Sequence, residues 1–159
     1  MNGLELFALA PLGARVAFTD GTPRPPERFN KKLATWKGNN AEGFFVGVTP
    51  NDGKPWSSDS FVLQTRSGPF LIVNQHFDAK TTKTFEVTPP APGTILAYGD
   101  FGGRIEIKHV WANIEQARDW AGRPPKGFVY KFNSCGHKYF IVAEDGTLRH
   151  GTPTEDDIT

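Results

Sequence analysis

The feature that most constrains this chain is an alternation of apolar and polar residues in short runs, each cut by Gly, Pro, Asn or Asp. Successive side chains of a strand point to opposite faces, so such runs describe half-buried antiparallel strands. The clearest is Arg104-Ile105-Glu106-Ile107-Lys108-His109-Val110-Trp111. Its pattern places Ile105, Ile107, His109 and Trp111 on an apolar face and Arg104, Glu106 and Lys108 on the other. Residues 14–19, 42–49, 60–66, 69–77, 84–88 and 94–98 read as further strands, with Ser67-Gly68 as a hairpin turn. Residues 128–132, 138–143 and 147–150 read as a three-stranded meander, turned by Asn133-Ser134-Cys135-Gly136 and by Asp145-Gly146. About ten short strands exclude a helix-dominated fold.

Two segments carry helical spacing instead. Residues 26–37 begin with Pro26 at an N1-like position, place Phe29, Leu33 and Trp36 on one face, and end at Lys37 with Gly38 as the closing glycine. Residues 113–121 repeat this, with Asn113 as cap, Gln116 at the capping-box position, Ile114, Ala117 and Trp120 on one face, and Gly122 after the end. The expected fold is α+β and mostly antiparallel β: a curved sheet or small barrel-like arrangement with two short helices. Trp36 and Trp120 are expected as core anchors.

At 159 residues the chain has the length of one ordinary domain, expected over residues 1–154 with an acidic tail at 155–159. The Pro-rich run at 88–93 cannot be a central strand and reads as a stiff connector. A faint internal echo spans 13–49 and 102–133. Gly13-Ala14-Arg15 matches Gly102-Gly103-Arg104, and Trp36-Lys37-Gly38 before Gly43-Phe44 matches Trp120-Ala121-Gly122 before Gly127-Phe128.

The charge balance is +1, but the last five residues hold three acids, which leaves a mildly basic body. Arg24, Arg28, Lys31, Lys32 and Lys37 cluster against the single acid Glu27. In a helix, Arg28, Lys31 and Lys32 project away from the Phe29/Leu33/Trp36 stripe, a face suited to phosphates. A non-catalytic, nucleic-acid-binding protein is therefore the leading expectation, with Trp56 as an exposed-loop aromatic beside the cations. A protein-binding inhibitor or accessory module, using a Phe-rich surface or an edge strand, is the alternative.

A small cysteine-dependent hydrolase stands third. Cys135 and His137 share a turn, but a thiolate nucleophile needs a positioned base, which His76 or His109 would have to supply from another strand. His76, His109, His137 and His150 lack the spacing that seats two imidazoles on one metal, so neither a metal nor a cofactor is expected. Asp100-Phe101-Gly102 has none of the companion motifs of a kinase and reads as a turn. A single cysteine excludes an internal disulfide. The first ten residues lack the basic start of a secretion signal, and no run approaches the ~20 apolar residues of a membrane span. The expected location is cytoplasmic, with no membrane partner.

Overall fold

A computed structural model describes residues 1–67, 71–101, 104–113, 115–117 and 138–150. The chain divides into two compact units, Met1–Pro89 and Pro90–Thr159, and the division falls inside the Pro-rich run. The described strands are antiparallel throughout and outnumber the helices, as the alternation requires.

The first unit opens with α1 (Gly3–Leu9), which the strand-and-helix reading did not foresee. Its signal was nonetheless local. Asn2 Oδ1 accepts the Glu5 amide at 2.9 Å, and the Glu5 carboxylate accepts the Asn2 amide at 2.8 Å, a reciprocal cap that satisfies two orphan donors. The helix seats Leu6 in the core. Five strands follow: β1 (Arg15–Thr19), β2 (Ala41–Thr49), β3 (Ser60–Ser67), β4 (Leu71–Asp78) and β5 (Thr84–Thr88). They form one sheet in the order β4-β3-β2-β1-β5, with α2 (Asn30–Asn39) inserted between β1 and β2.

Inward positions supply Val16 and Phe18 from β1, Phe45 from β2, Phe61 and Leu63 from β3, Phe77 from β4 and Phe85 from β5. Phe61 stacks on Phe77 at 5.4 Å and meets Phe85 edge-on at 5.4 Å. Phe77 of β4 also meets Phe85 of β5 at 5.9 Å. The rims of the sheet therefore turn towards each other, although no backbone ladder joins them and the sheet remains open. Five phenylalanines that composition could have assigned to a sticky surface are the interior of this unit.

In the second unit β6 (Ile95–Phe101), β7 (Arg104–Trp111), β8 (Lys138–Val142) and β9 (Leu148–His150) form a sheet in the order β7-β6-β8-β9. Tyr98 stacks on Phe140 with centroids 4.2 Å apart, and its hydroxyl lies 3.1 Å from His150 Nδ1. The β8–β9 turn closes as expected: Gly146 takes a left-handed φ of 81°, and Asp145 accepts the Thr147 amide at 3.0 Å.

The strict alternation expected along β7 fails. Ala97 faces His109 while Tyr98 faces Ile107, so Lys108 is an extra residue in a β-bulge. A bulge shifts the phase by one. The buried set is Ile107, Val110 and Trp111; Ile105 is exposed, and His109 is half-buried and stacked on Trp111 at 5.2 Å. In the region of the second expected helix, Asn113 Oδ1 accepts the Gln116 amide at 3.0 Å, whereas the Gln116 side chain accepts from Ala112. Trp120, Cys135, His137, residues 128–132, the Ser67-Gly68 turn beyond Ser67, most of the second half of the echo, and the acidic tail lie outside the described residues. No described helix is long and apolar enough to cross a membrane.

Candidate nucleic-acid interface

The cationic cluster lies in the connection between β1 and β2, residues 20–40, none of which is buried. Helical bonding starts later than expected. Phe29 donates to the Pro26 carbonyl in a single turn, and the first full helical bond runs from Leu33 to Phe29. α2 therefore spans Asn30–Asn39, and Gly38 lies inside it. Asn40 closes the helix instead, its side-chain amide donating to the Trp36 carbonyl at 2.9 Å. The Phe29/Leu33/Trp36 stripe has no core beneath it. Trp36 is half-buried, not a core anchor, and its indole Nε1 donates to the Thr22 carbonyl at 2.9 Å.

Polar bonds fix this insertion to the sheet. Asp20 accepts from the Thr22 amide at 3.0 Å, the Thr22 hydroxyl at 2.6 Å and the Asn40 side chain at 3.0 Å. Lys83, just before β5, donates to Asn39 Oδ1 at 2.9 Å, and Gln75 of β4 donates to the Gly38 carbonyl at 3.3 Å. The Thr22 hydroxyl, then the Thr22 amide, then Asn40 hold the Asp20 carboxyl well below its ordinary 3.8, at about 2, with Lys83 contributing. A folded-state value below the unfolded one stabilises the insertion above about pH 4, and that contribution disappears as pH falls from about 4 to 2. An NMR titration should therefore show the Asp20 carboxyl titrating near pH 2. Residues 20–40 should shift with it, and the Phe61 ring should not; a midpoint near 4 would deny the lock.

The five cations differ in placement. Arg24 is ion-paired to Glu27 at 3.2 Å. Arg28 lies 4.9 Å and Lys32 lies 5.4 Å from the centre of the Phe29 ring, which is 41% exposed between them. Lys31 and Lys32 also line a cleft of about 410 Å³ with Asp20, Thr22, Pro23, Pro25, Thr35, Trp36 and Asn39. Lys37 occupies the last turn, where the helix dipole favours a cation. Lys31 and Lys32 sit at the opposite end, where the dipole disfavours them. That first turn has neither an acid nor a capping side chain. Helix stability does not account for two lysines there.

Trp56 does not join the cluster. It is 81% exposed on the β2–β3 connection, which leaves the opposite end of β2 from α2. Nine strand residues span roughly 30 Å. That loop is ordered by its own bonds, including Asn51 to Asp59 at 2.8 Å and Asp52 to Ser57 at 3.1 Å.

A sequence model of the family described as Uncharacterised conserved protein UCP036055 matches residues 1–129. The chain belongs to that family. The match takes in the whole first unit, so the basic insertion and the aromatic core of this UCP036055 member lie within the matched region. No curated protein and no solved structure matches the chain.

Proposed function

We propose that this protein is a cytoplasmic, non-catalytic nucleic-acid-binding protein that engages phosphates through the β1–β2 insertion. The observation that carries the reading is α2 itself, a helix with no buried residue that holds Lys31, Lys32 and Lys37 and no acid, with two of its cations at the end where its own dipole repels them. A phosphate ligand would turn that local cost into attraction, since it favours both the lysines and the helix N-terminus. Arg28 and the exposed Phe29 ring extend the surface with a further cation and a stacking face. The alternative, a protein-binding inhibitor or accessory module, would draw on an edge strand more than on a Phe-rich surface, because most described phenylalanines are interior.

Fluorescence anisotropy with a labelled single-stranded RNA or DNA 12-mer tests the reading. Four phosphate contacts, by Arg28, Lys31, Lys32 and Lys37, imply a salt slope of about −3 and a loss of roughly 50-fold in affinity between 50 and 200 mM salt. Arg28→Glu, Lys31→Glu and Lys32→Glu made together should abolish binding while leaving thermal unfolding unchanged, since none of the three is buried. Absence of salt-sensitive binding by the wild-type protein at low salt would remove the proposal.

A further inference from the structure

Phosphate contacts account for the cations of the insertion but not for the cleft that Lys31 and Lys32 border. At about 410 Å³ the cleft falls within the ~300–1,000 Å³ of sites that take small molecules, more room than a phosphate paired with a lysine requires. Its walls suit a flat ring. Pro23, Pro25 and Trp36 supply apolar surface, and the one polar atom of the indole is already bonded to the Thr22 carbonyl, which also fixes the ring.

The polar lining is held in place by the protein itself. Lys83 donates to Asn39 Oδ1 at 2.9 Å, so the Asn39 amide nitrogen remains a donor with no partner among the described residues. Thr22 and Asn40 engage Asp20 through Oδ1, which leaves its Oδ2 as an acceptor. A donor and an acceptor beside apolar walls match the edge and the face of a nucleobase, whereas the Asp20 carboxylate repels a phosphate. The phosphate therefore belongs with Lys31 and Lys32. Lys32 also lies 5.4 Å from the centre of the exposed Phe29 ring, so the cleft and a second stacking surface share one cation.

We infer, resting on the nucleic-acid reading above, that this surface selects single strands: one unpaired base enters the cleft lined by Pro23, Pro25 and Trp36, its phosphate is held by Lys31 and Lys32, and a neighbouring base stacks on Phe29. A duplex does not fit this arrangement, because the faces of its bases are covered by their neighbours and only edges are offered in the grooves. A free nucleotide would leave Arg28 and Lys37, which lie outside the cleft lining, without a phosphate. The occupant is a strand.

Fluorescence anisotropy at low salt tests this with a labelled single-stranded DNA 12-mer, its duplex, and an abasic strand that keeps the sugars and phosphates but has no bases. The single strand should bind at least about tenfold more tightly than either of the others, the scale of one stacked base. Thr35 is exposed and lines the cleft, so Thr35→Phe should fill it, lowering single-strand affinity to the abasic level while duplex binding and thermal unfolding stay unchanged. Thr35→Ser, which keeps the hydroxyl bonded to the Lys31 carbonyl, should bind like the wild type. Adenosine monophosphate at about 1 mM should displace little of the strand, since it lacks the neighbouring contacts. Equal binding of single strand and duplex, both lost when Arg28, Lys31 and Lys32 become Glu, would overturn the inference and spare the phosphate reading; no binding of any of the three would remove both. An abasic strand as tight as the normal one would overturn the inference without recourse to any variant. A single-strand preference that survives Thr35→Phe, or efficient displacement by the mononucleotide, would do the same.

Discussion

Replacing Phe61 by Ala should lower stability by about 3–5 kcal/mol, because the ring is fully buried and three other phenylalanine rings lose their central neighbour. That is a large part of the ~5–15 kcal/mol that separates a folded domain from its unfolded chain. Urea unfolding checks it, with Phe29→Ala as the control. Phe29 lies outside the core and 41% exposed, so its truncation should move the midpoint little. Equal shifts for the two variants would mean that the Phe61 cluster does not anchor the first unit.

Gly43→Ala should be damaging for so small a substitution. A Cβ at this position would lie 2.7 Å from the Gln64 carbonyl oxygen and 2.9 Å from Thr65 Cγ2. The first neighbour belongs to the backbone of the adjoining strand and cannot swing aside, so β2 and β3 would have to separate. Overpacking of this kind costs typically about 1–3 kcal/mol. Gly47 gives the internal comparison. It lies in the same strand with nothing within 4 Å of its added Cβ, so Gly47→Ala should be neutral or mildly stabilising. If Gly43→Ala proves as mild as Gly47→Ala, then close approach is not what keeps glycine at residue 43.

Strands were legible because their alternation is local and each end is punctuated. Residues 14–19, 42–49, 60–66 and 84–88 fall on β1, β2, β3 and β5 to within a residue. The phase of β7 was not legible, since nothing in Lys108 or its neighbours announces a bulge that depends on the register with β6. α2 shows a different limit. Spacing establishes that Phe29, Leu33 and Trp36 could share a face, but not that anything packs there. The late start came from the Pro26 turn, and the end from Asn40, two residues past the glycine that looked like the stop. α1 carried a readable signal in Asn2-Gly3-Leu4-Glu5, in which cap and acid are three apart, but its seven residues are too few for periodicity to register. The cations of the candidate surface were all visible in the sequence. Their sorting was not: Arg24 is tied to Glu27, Lys31 and Lys32 line the cleft, and Trp56 is at the far end of β2.

Residues 20–40 contribute no buried side chain, and this separates two selective pressures that most small proteins must reconcile. Substitutions in the insertion alter charge, reach and shape without touching the aromatic interior, while substitutions in the interior alter stability without touching the cations. Free-energy changes at sites that share no partner add nearly independently. Lengthening a surface connection costs little, only about 0.6 kcal/mol for each doubling. The same scaffold could therefore carry insertions of different length and specificity, much as a handle accepts different blades, and diversity among family members should concentrate between Thr19 and Ala41.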